Sequence, residues 1–185
     1  MKPFVVGIGG CSQSGKTTFT NALVEVLHNV RVAVIHFDDY HKPADKRPQS
    51  VASHTKITYM DSNLPESFDL PGLRSDLIQK IEQNEVDIII IEGTMILYDE
   101  VIDKLLDLRL YVDIRPDERA IRYVEAYADC QGYDFIRNSY LDLARYRMEE
   151  YVEPTKWKAD VILNGAMKSD HAVAMVRAYL SDLAI

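Results

Sequence analysis

The sequence has only two cysteines, Cys11 and Cys130, too few for a disulfide scaffold and without any spacing that holds zinc. That usage favours a reducing compartment, so a cytoplasmic protein is expected. No apolar run approaches the ~20 residues a membrane-spanning helix needs, and Gly7 interrupts the first apolar stretch before it could serve as a signal-peptide core. Basic residues are the scarcer sign: 21 Lys and Arg stand against 29 Asp and Glu, a net charge of −8. That balance argues against a surface built to neutralise a nucleic-acid backbone, although a small, locally neutralised anion remains allowed. The eight glycines and seven prolines are scattered singly, so neither a flexible linker nor a low-complexity tract divides the chain. What remains is 185 residues, 47% of them hydrophobic, expected to form a single domain over 1–185 with apolar mass for a three-layer core.

Four apolar runs read as buried strands: Phe4 to Ile8, Val30 to His36, Val86 to Ile91 and Leu108 to Ile114, with a weaker fifth at Asp160 to Leu163. Continuous β-branched runs suit a parallel sheet covered on both faces. Helical periods lie between them at Thr18 to His28, Pro71 to Asn84, Asp99 to Asp107, Pro116 to Ala128, Arg137 to Tyr151 and Ser169 to Leu183. Strand alternating with helix predicts a doubly wound α/β fold with a five-stranded parallel sheet. Asp69 is placed to cap the second helix, and Pro71 tolerates its first turn. The stretch from Asp38 to Phe68 shows little periodicity, and a loop of that length in a compact domain is usually functional.

Gly10-Cys11-Ser12-Gln13-Ser14-Gly15-Lys16-Thr17 fits G-x-x-x-x-G-K-[ST] at every fixed position, between a predicted strand and a predicted helix. Such a loop turns successive backbone N–H groups of Gly10, Ser12, Ser14, Gly15 and Thr18 toward a polyphosphate, while the helix adds its positive dipole end. Lys16 supplies charge for the outer phosphates, and the Thr17 hydroxyl is a ligand for Mg²⁺. A thiol at a helix N-terminus has a lowered pKa, so Cys11 is expected to be open to slow oxidation.

In open α/β sheets the ligand lies beyond the carboxyl ends of the strands. The second strand closes with His36-Phe37-Asp38-Asp39 and the third with Glu92-Gly93. Phosphoryl transfer needs a cation that bridges the phosphates and a group that deprotonates or orients the attacking oxygen. Glu92 suits the metal shell; Asp38 suits the base and could share the metal; Asp39 reads as a solvated turn.

These residues carry a resemblance over nearly the whole chain. The sequence resembles the uridine kinase family of P-loop kinases, and within it looks most like nicotinamide riboside kinase-like members. The similarity comprises the phosphate loop with Thr18, Asp38-Asp39-Tyr40-His41-Lys42-Pro43, Pro65-Glu66-Ser67-Phe68-Asp69, Ile91-Glu92-Gly93, and Tyr151-Val152-Glu153-Pro154-Thr155-Lys156 leading to Ala159-Asp160-Val161-Ile162. The resemblance implies a P-loop three-layer sandwich with a helical lid near 126–140, an acceptor-binding region near 38–68, and ATP and Mg²⁺ as cofactors. It implies that Asp38 takes the proton of a ribose 5′-hydroxyl, that Asp61 grips the 2′- and 3′-hydroxyls, and that Tyr40, His41 and Tyr127 flank the base. Arg119 and Arg122 fall on the family's phosphate-binding arginines, and Asn164-Gly165 falls where adenine is held.

Three departures bear on the acceptor: Tyr123 stands where the family carries a second arginine of the pair, Met60 precedes Asp61 in place of an aromatic, and the lid 126–135 has no arginine. The expected activity is phosphorylation of a ribonucleoside, nicotinamide riboside or a pyrimidine nucleoside. The expected partner is a small nucleoside-like molecule, with no nucleic acid or membrane, in a monomer or homodimer. Lys42, Lys46, Arg47 and Lys56 make the long loop basic, which leaves a phosphorylated sugar or other small alcohol open as acceptor. The altered lid leaves open a nucleotide-binding switch with slow hydrolysis. No Asn-Lys-x-Asp element is present to read guanine.

Overall fold

The computed structural model describes residues 2–168 and 170–182. In chain order the elements are β1 (Phe4–Gly9), α1 (Lys16–Val26), β2 (Val32–His36), β3 (Gln49–Val51), β4 (Thr58–Met60), α2 (Leu70–Gln83) and β5 (Ile88–Glu92). They continue with α3 (Glu100–Asp103), β6 (Leu108–Asp113), α4 (Pro116–Gln131), α5 (Tyr133–Ser139), α6 (Arg145–Arg147), β7 (Val161–Asn164) and α7 (Asp170–Asp182). Five strands form one sheet in the order β2-β5-β1-β6-β7, every neighbouring pair parallel.

Alternation within β1 explains the three layers. Val5 packs toward α2 and the π-helical turn Met148–Val152 with Leu73, Leu77 and Met148, while Val6 and Ile8 pack toward α1 and α7 with Leu23 and Val176. The four isoleucines of β5 are fully buried, each stabilising the fold by roughly 1.5–3 kcal/mol. With both faces covered, these strands are continuous apolar runs, as expected of a central parallel sheet.

The register sets the site. β5 lies between β1 and β2, and Glu92 pairs with Ile8 on one side and His36 on the other. The carboxyl ends of three strands therefore deliver the phosphate loop, Glu92 and the Phe37–Tyr40 turn to one edge.

Three expectations need correction. The 38–68 stretch is not structureless: it holds short 3₁₀ turns and an antiparallel hairpin pairing Gln49–Val51 with Thr58–Met60. Strands of three residues are too brief to show a period. The helix expected over Asp99 to Asp107 shortens to α3, capped by the Asp99 carboxylate on the amides of Val101 and Ile102. The helix expected from Arg137 to Tyr151 starts instead at Tyr133 and winds through π-helical turns at Tyr140–Ala144 and Met148–Val152. Gly132, at φ 86°, ends α4 in a conformation that side chains disfavour and that glycine accepts. The last helix matches over Asp170–Asp182, while its expected ends, Ser169 and Leu183, lie outside the described residues. Asp69 caps α2 as expected, accepting from the Gly72 amide at 3.1 Å. Among the described residues no helix is long and apolar enough to cross a membrane.

Candidate active site

The phosphate loop joins β1 to α1. Gly15 stands at the N-cap of α1, which has neither a side-chain cap nor an acid in its first turn. The positive end of the helix is thus left to an external anion. Lys16 is buried, and its ammonium donates to the Cys11 carbonyl at 3.0 Å. Burial holds its pKa below the usual lysine value, against the opposing pull of Glu92 and Asp38. Gly10 lies behind the loop against the Val112 carbonyl, and Ser14 is wholly buried. Cys11 is 3% exposed, beside the Tyr111 hydroxyl at 3.6 Å. Burial pushes its thiol up, with Arg119 pulling the other way, and α1 does not open until Lys16, so the expected reactivity is overturned: the thiol is desolvated and lies before the helix N-terminus.

Beside this loop the Glu92 carboxylate, 6% exposed, accepts at one oxygen from the Thr17 hydroxyl at 3.0 Å and meets His36 Nδ1 at 2.8 Å. Asp38 lines the same cleft, and among the described residues its carboxylate has no hydrogen-bond partner, leaving it available as an acceptor. Thr17, Glu92 and Asp38 are all hard oxygen donors, the set that suits Mg²⁺. No three His, Cys, Asp or Glu side chains converge into a metal cage among the described residues.

The cleft measures about 430 Å³ and is lined by Ser12, Gly15, Lys16, Thr17 and Thr18 at one end and by Asp38, His41 and Tyr127 farther along. His41 packs its ring on Phe68 with centroids 4.1 Å apart, and Tyr127 packs on Tyr123 at 4.9 Å. The Tyr127 hydroxyl accepts from Gln13 of the phosphate loop at 3.4 Å. A second cavity of about 150 Å³ shares Gly15 and Thr18 with the first and is lined by Arg122, Asn164 and Gly165. Arg122 donates to the carbonyls of Gly165 and Ala166 at 3.0 and 3.2 Å, tying the loop after β7 to α4.

Three expected site residues lie elsewhere. Tyr40 turns away from the cleft and donates to Asp76 of α2 at 2.7 Å; successive residues of a tight 3₁₀ turn cannot both face the cavity, and His41 does. Burial and that carboxylate push the Tyr40 phenol up to about 12. Arg119 is 2% exposed and pairs with Glu153 at 2.7 Å beneath the loop, which places it in the core of the fold and not against a ligand. Asp61 is fully buried. Its carboxylate accepts from Ser50 at 2.8 Å, from the Asn63 amide at 3.1 Å and from Arg147 at 2.9 Å, so it braces the hairpin in this conformation, and its neighbours Met60, Ser62 and Asn63 form the cleft wall.

Sequence reasoning missed Tyr59, Asn63, Thr94 and Phe135 as wall residues. Thr94 was within reach, since it directly follows Glu92-Gly93; the other three depend on long-range packing. Tyr123 and Arg47, noted in the sequence as a departure and as part of a basic loop, both line the cleft.

The Phosphoribulokinase / Uridine kinase family model matches residues 74–172. A uridine kinase of Lactobacillus helveticus is 30% identical over 98% of this chain and 96% of its own length. One of Lactococcus lactis subsp. lactis is 28% identical over 98% of each. Among solved structures, one described as a possible uridine kinase from Bacillus stearothermophilus aligns with a TM-score of 0.54 at 23% identity, covering 89% of this chain and 90% of that one. A sugar kinase from Janibacter aligns with a TM-score of 0.58 at 17% identity, covering 97% and 95%. A nearly full-length relative, a matching family model over more than half the chain, and this sheet order with its phosphate loop lead to one conclusion: the chain belongs to the phosphoribulokinase / uridine kinase family and is a kinase of the P-loop fold.

Proposed function

We propose that this kinase moves the γ-phosphoryl group of ATP onto the 5′-hydroxyl of a ribonucleoside in the cytoplasm, with uridine, cytidine and nicotinamide riboside as the candidate acceptors. The single observation that carries this reading is that Asp38, whose carboxylate has no hydrogen-bond partner among the described residues, shares one cleft with Lys16 and Thr17. The phosphate loop binds the polyphosphate, and the cavity beside Asn164 and Gly165 takes the adenine. Asp38 accepts the proton of the acceptor hydroxyl as the oxygen attacks, and Lys16 holds the transferred group's oxygens. Thr17 and Glu92 would hold Mg²⁺, which when bound neutralises charge on the phosphate oxygens. The chain's own contribution is mostly positioning and charge stabilisation. His41 and Tyr127 present ring surfaces to a planar base, in a cleft of adequate size.

One observation favours a second acceptor class. Arg47 lines the cleft, bonded only to the Lys42 carbonyl and the Ser62 hydroxyl at 2.6 and 3.1 Å, with no carboxylate to balance it among the described residues. An alcohol bearing its own anionic group would meet that charge. ADP release measured with ATP and Mg²⁺ against uridine, cytidine, nicotinamide riboside, pantothenate and a sugar phosphate separates the readings. Stimulation by a neutral riboside supports the first and by an anionic alcohol the second. Nucleotide binding without stimulation by any acceptor would replace both with the slow-hydrolysing switch.

A further inference from the structure

The helical run that begins in the lid region and continues through the π-helical turns to Val152, called the lid below, and the β3–β4 hairpin are joined by contacts that phosphate binding does not require. Asp142, in the first π-helical turn, accepts from the Thr55 hydroxyl at 2.7 Å and the Tyr59 hydroxyl at 2.9 Å. Arg147, just before the second, donates to Asp61 at 2.9 Å and reaches Ser50 at 3.4 Å. Asp61 is fully buried and Arg147 is its only cationic partner among the described residues. A buried carboxylate is tolerated only when paired in this way. The winding matters: at 3.6 residues per turn, residues five apart point about 140° away from one another, whereas a π-helical turn brings i and i+5 toward one face. The irregular segment thus lets Asp142 and Arg147 both reach the hairpin.

The two bodies joined here both line the same cleft, the hairpin with Tyr59 and the helical run with Leu143 and Ala144. The hairpin and its exit strand present Tyr59, Met60 and Ser62, and the lid presents Tyr127, whose hydroxyl touches Gln13 of the phosphate loop. We infer that Asp142 and Arg147 are positioning residues that fasten the acceptor-side hairpin to the lid, so that occupation of the phosphate loop is transmitted to the acceptor wall. The assignment of an acceptor wall rests on the kinase reading above; the mechanical link does not.

Hydrogen–deuterium exchange of the full chain, alone and with MgADP, tests it. In the unsubstituted protein MgADP should slow exchange both in the lid and at residues 49–61. In the Thr55→Val, Tyr59→Phe double variant, MgADP should still protect the lid, while its protection of 49–61 falls about tenfold. Arg147→Lys, which keeps the charge beside Asp61 but not the second contact, should fall between. Without nucleotide, the double variant should speed exchange at lid residues 140–148 about tenfold, although neither substitution lies in the lid. Unchanged lid exchange in that ligand-free arm, or equal MgADP protection of the hairpin in variant and parent, overturns the link. Failure of MgADP to bind at all would instead strike the kinase reading, and the ligand-free arm would still decide the link.

Discussion

Gly165 offers a sharp test of how the nucleotide end is built. A Cβ placed on it would lie 2.1 Å from the Ser14 carbonyl oxygen and 3.0 Å from the Asp113 carbonyl oxygen. Both are backbone atoms, so no side chain can swing aside. Ordinary contact begins near 3.4 Å, and the loop after β7 must therefore part from the phosphate loop by about 1.3 Å in Gly165→Ala. That motion opposes the 2.6 Å bond from the Gly165 amide to Asp113 and the Arg122 contacts on the far side, so the strain falls largely on the phosphate loop. Overpacking of this kind costs about 1–3 kcal/mol, several degrees in melting temperature for a chain of this size. Misplacement by about 1 Å at a preorganised site can cost a hundredfold, so calorimetric titration with MgATP should show affinity reduced about ten- to a hundredfold. Gly132→Ala is the control, since nothing lies within 4 Å of its Cβ; it should lose about 1–2 kcal/mol from backbone strain alone and bind MgATP normally. Equal MgATP affinity in Gly165→Ala and the parent would refute the argument that these two loops are in forced contact.

Asp38→Asn should lower turnover by about 10²–10⁴, the usual worth of a general base, while calorimetric affinity for MgATP changes little. Arg119→Ala should destabilise the fold by about 2–4 kcal/mol, because it empties a buried site and strands Glu153, with MgATP affinity of the folded fraction retained; a stable variant that loses nucleotide would return Arg119 to the binding site. Hydrogen bonds from the Arg31 guanidinium first and the Arg31 backbone amide second hold Asp87 at about 2, below its ordinary 3.8. A depressed carboxylate contributes stability above its unfolded value and loses it as pH falls through the folded one, so Asp87→Asn should flatten the acid limb of the stability curve between about pH 4 and 2, read by chemical denaturation at each pH.

The legible parts of the fold were those in which one residue's neighbours in sequence decide its role. Four isoleucines in a row at 88–91 can only be a strand buried on both faces, and the spacing from Gly10 to Thr17 fixes a backbone shape whatever surrounds it. The illegible parts depend on partners far along the chain. Asp61 is satisfied by Arg147, 86 residues away, and Arg119 by Glu153, 34 away; neither pairing leaves a periodic trace, so a carboxylate and a guanidinium engaged with each other look like free ligands in a sequence. Tyr40 and His41 are adjacent, and only the turn's handedness decides which faces the cleft. Cys11 belongs to a loop whose sequence suggests a helix N-terminus and a reactive thiol, whereas α1 opens only at Lys16 and burial pushes the thiol up.

The phosphate loop concentrates unfavourable features in a few residues. Lys16 is charged and desolvated, its pKa drawn down by burial. The Ser14 hydroxyl is buried with no hydrogen-bond partner among the described residues, and α1 starts with no capping side chain and no acid. Each departs from how stable proteins treat such groups; a polyanion against the loop would meet the Lys16 charge and the open end of α1, while Ser14, outside the cleft lining, stays buried beneath it. The core beneath is secure by contrast, with β1 paired to β5 and the isoleucines Ile88–Ile91 fully buried, so local strain at the loop can be carried without unfolding. Binding a phosphate therefore releases a penalty that the rest of the sheet holds in place. This explains how a chain with a net charge of −8 can still select a highly charged anion at one strand end.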